Sequence, residues 1–81
     1  MEKTAISVQI YNETYVLRTS APQTQVLQVA QSVDERMKRL AADKKVTNRE
    51  KLAVWTAVDL AAELDELQQR YDKLLAAVRE R

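Results

Sequence analysis

The side chains best placed for acid–base or metal chemistry are three carboxylates, Asp59, Glu63 and Glu66. Their spacing of i, i+4 and i+7 would stack them on one face of a helix. Paired carboxylates exchange protons or hold divalent cations. Both tasks call for companions that this chain lacks. It has no histidine, so there is no imidazole base and no imidazole ligand. Without cysteine there is no thiolate zinc site, thiol nucleophile or disulfide framework. Without glycine, the phosphate-cradling loops of nucleotide-binding folds have no residues to build them. The carboxylate face reads as solvated helix surface, and no catalytic residue, cofactor or metal is expected. Partners are the better place to look for function.

Charge is the next candidate. The 81 residues carry 13 Lys+Arg against 12 Asp+Glu, a formal balance of +1. The distribution is uneven. From Arg36 to Lys51 there are seven basic residues and two acids, whereas Asp59 to Glu66 holds four acids and no base. One reading is solvated helix faces with favourable pairing between chains. The other is a basic edge around residues 43–47 that docks on an acidic protein surface or on nucleic acid. Aromatic residues are sparse at 5%, and Trp55 falls at a core-anchor position. Base stacking is therefore poorly served, and nucleic acid is the weaker alternative.

These residues sit on elements that the periodicity makes legible. In residues 4–18, Ile6, Val8 and Ile10 alternate with Ala5, Ser7 and Gln9, the two-residue period of a half-buried strand. Tyr15 and Leu17 resume it after Asn12, which tolerates a left-handed backbone, so a tight hairpin is expected there. Ser20 to Gln23 resembles a capped helix start with Pro22 in the first turn. Val26, Ala30, Val33, Met37 and Leu40 then form one apolar stripe on a helix over residues 21–43. Asp34–Lys38 and Glu35–Arg39 are favourably ordered i,i+4 pairs beside it. A second start follows at Thr47-Asn48-Arg49-Glu50, a T-x-x-E capping box. No glycine or proline interrupts the chain from there to Arg81, and Arg79 and Arg81 suit the negative end of a helix dipole.

That second helix would be ~50 Å long, about twice the diameter of a compact domain of this length. Leu60, Leu64, Leu67, Tyr71, Leu74 and Val78 recur along it at steps of four and three, a heptad seam. A protruding helix has no partner for such a seam within its own chain. Leaving each large apolar side chain in water forgoes ~1.5–3 kcal/mol. Trp55 and Val58 lie in a segment that is apolar on several faces and read as further oligomer contacts. The expected fold class is α+β, with a head over residues 1–59 and a coiled-coil extension over 60–81. An obligate homo-oligomer is expected, dimer or tetramer. No leader pattern precedes the hairpin and no apolar run approaches the ~18–20 residues of a spanning helix. With the missing cysteines, the expectation is a cytoplasmic protein without a membrane partner.

Four blocks, in this order and spacing, resemble one family. They are the strand from Ile6 to Tyr15, the long first helix, the segment Val46 to Leu52, and Ala57-Val58-Asp59-Leu60-Ala61-Ala62-Glu63-Leu64. Together they cover residues 4–70 and look like the bacterial cell-division protein family ZapA. The chain departs from that pattern in three places. Asn12 stands where the family has glycine, Asp59 stands where it has an amide, and the tail is short. The resemblance implies a head that dimerises, tails that pair dimers into tetramers, and binding to the tubulin-like GTPase FtsZ at the mid-cell division ring. It implies that charged head residues contact FtsZ. Carried onto this chain, these are Lys45, Arg49 and Glu50, with Lys44, Lys51 and Arg18 as weaker additions. Glu50 also has the bland role of closing the capping box. The alternative from another class is a small dimeric nucleic-acid-binding regulator using the basic edge of residues 36–51.

Overall fold

Ile6 and Val8 project from one face of a strand onto Val26 and Ala30 of a helix, and this contact is the centre of the head. The computed structural model of the chain describes residues 2–80, so Arg81 lies outside the described residues. The elements run β1 (Thr4–Ile10), β2 (Glu13–Thr19), α1 (Gln23–Lys44) and α2 (Arg49–Arg79). β1 and β2 pair antiparallel, with Ile6 opposite Leu17, Val8 opposite Tyr15 and Ile10 opposite Glu13. The alternation that marks β1 is the alternation that buries it: Ile6 and Val8 are buried, and their neighbours are exposed. On α1 the stripe buries Val26, Ala30 and Met37. Lower down, α1 packs on α2; Met37 is buried on α1, and Leu52, which is fully enclosed, and Thr56 are buried on α2. The α+β fold class follows directly: a hairpin on a helix, and a long helix leaving it.

Three residues adopt left-handed backbone, and none is glycine. Tyr11 (φ 50°) and Asn12 (φ 67°) are the two central residues of the hairpin, a type I′ geometry. Asn12 is the expected left-handed residue. Tyr11 is not, and costs ~1–2 kcal/mol in that conformation. Lys45 (φ 54°) ends α1, where the Val46 N–H donates back to the Ala41 carbonyl at 3.2 Å and closes the last turn.

Both helix starts differ from the sequence expectation by small shifts. α1 has Pro22 at its N-cap and no side-chain cap; Ser20 does not serve, and the Thr19 hydroxyl instead accepts the Ala21 N–H at 3.0 Å. Proline lacks an N–H and is pre-set at φ −60°, so the chain enters the helix without a capping side chain. α2 is capped by Asn48, whose Oδ1 accepts the Lys51 N–H at 3.0 Å, one residue later than the T-x-x-E box implies. Asn and Thr both cap well, with Asn slightly preferred, and only one register can form. Glu50 is thereby released from the box and stands exposed in the first turn of α2, where its charge suits the helix dipole.

The molecule is extended. Its radius of gyration is 16.5 Å and its axes measure 50 × 39 × 16 Å; a compact chain of this length would have a radius near ~12 Å. No described helix is long and apolar enough to cross a membrane. The exposed surface is 6833 Å², against roughly 5,000 Å² for a compact monomer of this mass.

Two outcomes test these local features. Asn48→Ala should lower stability by about 1 kcal/mol in urea denaturation while Thr47→Ala changes it by less than about 0.5 kcal/mol; equal losses would restore Thr47 as the cap. Thr56 is 3% exposed and its hydroxyl has no hydrogen-bond partner among the described residues. Thr56→Val should therefore stabilise the fold by about 1 kcal/mol; a loss of stability would mean that the hydroxyl is satisfied.

Candidate functional site

Five of the charged residues singled out as partner contacts, Lys44, Lys45, Arg49, Glu50 and Lys51, converge at one corner, where α1 ends and α2 begins beside the hairpin tip. Lys44 and Lys45 close α1, and Asn48, Arg49, Glu50 and Lys51 open α2. The left-handed turn at Lys45 sends its side chain into solvent, and Glu50 and Lys51 are exposed beside it. Asn48, Glu50, Lys51, Val54 and Trp55 line a shallow open groove of about 420 Å³. Both signs of charge and an apolar floor are thus available within two helical turns. Lys44 places its ammonium 4.9 Å from the centre of the half-buried Trp55 ring. That contact occupies one face of the one tryptophan.

Arg18 is not part of this corner. It pairs with Ala5 at the far end of the hairpin, about 17 Å along the strand from Glu13. Its parity also puts it on the sheet face opposite Glu13. The remaining cations therefore carry the corner without it.

Arg49 is engaged by its own chain. Its Nη1 donates to the Tyr11 carbonyl at 2.6 Å, its Nε lies 3.7 Å from Glu13 Oε2, and its guanidinium sits 5.1 Å from the centre of the Tyr11 ring. On the other side of the turn, the Tyr11 N–H donates to Asp34 Oδ1 at 2.7 Å. Asp34 also pairs with Lys38 at 2.9 Å, as the i,i+4 spacing implied. Glu35 takes the amide of Gln31 at 3.1 Å. The Tyr15 hydroxyl donates to Glu13 Oε2 at 3.0 Å. The network thus joins β2, the turn, α1 and α2. Tyr11 and Glu13 were not singled out by the sequence, and Asp34 was noted only as the i,i+4 partner of Lys38. The available signal was loop length, since a two-residue hairpin loop of type I′ needs positive φ at both central residues.

The Lys38 ammonium, and after it the Tyr11 N–H, holds the Asp34 carboxyl below its ordinary value, against a small opposing effect of burial. A carboxyl lowered in the folded state contributes stability above its unfolded pKa, and that contribution is lost as pH falls through the folded value.

The residues expected to mediate self-association fall into two groups. Trp55 and Leu60 are half-buried against the head. Val58, Leu64, Leu67, Tyr71, Leu74 and Val78 are all exposed, the last five at 59–67% along the free length of α2. The three carboxylates of α2 do not form a metal site: among the described residues there is no cluster of the kind that holds an ion. Glu63 instead pairs with Arg36 of α1 at 2.8 Å, a bridge between the two helices.

This architecture has close parallels. A family model described as cell division protein ZapA matches residues 6–81. The chain belongs to the ZapA family of cell-division proteins. It is 36% identical over 77 residues to the ZapA of Geobacillus thermodenitrificans, covering 95% of this chain and 85% of the relative. It is 29% identical over 79 residues to the ZapA of Bacillus pumilus, covering 98% and 93%. Its fold is similar to that of a ZapA mutant dimer from Geobacillus stearothermophilus, with a TM-score of 0.80 and 30% identity, covering 98% of this chain and 92% of that one.

The polar network at the corner of this ZapA-family head is testable through Asp34. Carboxyl-detected NMR titration should find the Asp34 midpoint below that of a model peptide, rising in Lys38→Met. Asp34→Asn should be less stable than the parent at pH 7, with the gap closing as pH falls through the lowered Asp34 midpoint. A gap that persisted unchanged in acid would show that the carboxylate charge is not what matters.

Proposed function

We propose that this chain is a non-enzymatic, cytoplasmic division-ring protein that binds FtsZ and cross-links its filaments as a homo-oligomer. The observation that carries the proposal is two-endedness. A charged corner lies on the head, and an unpartnered apolar seam runs along a rigid helix that points away from it. A head over residues 1–59 would grip, and a tail over 60–81 would join grips.

Self-association is supported by the surface left uncovered. β2 is exposed along most of its length, and its inward-facing Tyr15 and Leu17 have no helix over them. A groove of about 290 Å³ runs from Leu17 to Val29 and Val33 of α1. The surplus of exposed surface, roughly 1,800 Å², falls within what a protomer buries in obligate dimers. The family neighbour described as a dimer fits that reading. We place Val58 and Trp55 in the head contact, and Leu60, Leu64, Leu67, Tyr71, Leu74 and Val78 in the tail contact, which pairs dimers. Hairpins joined across a dimer would cover one sheet edge each.

On the head, Lys45 and Glu50 offer free charges of opposite sign, and Lys44 and Lys51 flank them. Arg49 stands behind them, and Arg18 is a peripheral contact at most. Each grip would be weak alone; two grips on one rod raise the effective concentration of the second and hold filaments side by side. No bond need be made or broken.

Co-sedimentation with FtsZ filaments tests this. Lys45→Glu should reduce co-pelleting at least tenfold. Leu67→Asp should leave filament binding in place but abolish the bundles that pellet at low speed. Undiminished pelleting by the first variant would remove the assigned surface, and bundling by the second would remove the seam.

A further inference from the structure

The left-handed tyrosine at the hairpin tip is the least explained residue of the head. Tyrosine has no intrinsic reason to hold φ at 50°, and such a conformation persists only when the surroundings over-determine it. Here they do, from two directions. The Tyr11 N–H is taken by Asp34, 23 residues away on α1, and the Tyr11 carbonyl by Arg49, 38 residues away on α2. Both main-chain polar groups of one strained residue are thus held by side chains of different helices.

We infer that Arg49 is a positioning residue: its guanidinium locks the hairpin tip to the first turn of α2, and it governs partner binding through that geometry instead of by touching the partner. This rests on the reading of the Lys45–Lys51 corner as a filament-binding surface. Arg49 is the first residue of α2, between the cap Asn48 and the free carboxylate Glu50, so any shift of the turn relative to Arg49 shifts Glu50 and Lys45 relative to the sheet. Its side chain is 40% exposed, yet it donates one hydrogen bond to a main-chain carbonyl, lies 3.7 Å from a carboxylate and stacks over an aromatic ring. Those contacts draw on the extended planar charge and flat face of the guanidinium, which a lysine ammonium does not possess. A free surface charge would not need them.

The lock can be opened and then rebuilt without arginine. In the full-length chain, Arg49→Met removes it, and Arg49→Lys keeps the charge without the fork. Adding Tyr11→Asn and Asn12→Gly to the Arg49→Met chain installs the residue pair that favours a type I′ turn unaided. Both single variants are expected to lose at least fivefold in FtsZ co-sedimentation, and the triple variant to return to within twofold of wild type. Amide hydrogen exchange at residues 11–13, measured without partner, should speed up at least tenfold in Arg49→Met and slow again in the triple variant. Wild-type binding by Arg49→Lys, or a triple variant as weak as Arg49→Met, would assign Arg49 to direct contact and overturn the inference. Unchanged exchange in Arg49→Met would overturn the lock itself. If the wild type did not co-sediment, the filament reading would fail, while the exchange measurement would still decide whether the lock exists.

Discussion

A chain of 9.3 kDa that exposes 6833 Å² has more apolar surface than it can fold over itself. Six hydrophobic side chains are buried among the described residues, and twelve large ones are exposed. The imbalance has a geometric cause. α1 is long enough to cover one strand, and it covers β1. β2 is left with its inward face toward the groove beside Val29 and Val33, and α2 outruns α1 by several turns. No described residue of the chain covers either surface. What covers them must come from outside, and the rest of the molecule is arranged around that requirement.

The polar corner answers a different constraint. A head with so small a core gains little rigidity from packing, yet the hairpin, α1 and α2 must keep a fixed relation if one face is to grip. Charged side chains supply the fixed points. Arg36 bridges to Glu63 across α1 and α2, and Asp34 and Arg49 take the two polar groups of Tyr11 at the hairpin tip. Exposed ion pairs are worth little individually. Hydrogen bonds from a charged group to main chain at 2.6–2.7 Å are stronger, and they act on a residue whose backbone would otherwise relax. The same corner leaves the Lys45 and Glu50 side chains without an ion pair among the described residues, which is why they are the head's best candidates for contact.

Periodicity made the elements readable, because alternation and the 3.6-residue stripe are properties of neighbours in sequence. Ile6 and Val8, Val26, Ala30 and Met37 are buried where the pattern puts them. The heptad seam on α2 was equally legible, since its register does not depend on the partner. Caps were legible to within a residue or two: Thr47 and Asn48 are both good caps, and the choice rests on how α1 ends at Lys45. The corner was visible as charge but not as structure. Arg49 looks like its neighbours in the sequence, and only the fold brings Tyr11 within its reach. Tyr11 itself hid because a left-handed tyrosine is improbable until two distant side chains make it tolerable. Asp59, noted as a carboxylate in place of an amide, is half-buried on α2 and belongs to neither the corner nor the exposed seam.

The requirement for an external cover is most directly tested by molecular mass. Light scattering across a concentration series, paired with circular dichroism at each point, reads size and folding together. If the uncovered surfaces belong between copies, every folded sample should have at least twice the 9.3 kDa chain mass, and dilution to monomer should coincide with loss of helix. A helical species of 9.3 kDa that persists at micromolar concentration would contradict this, and with it the seam, the head contact and the bridging mechanism.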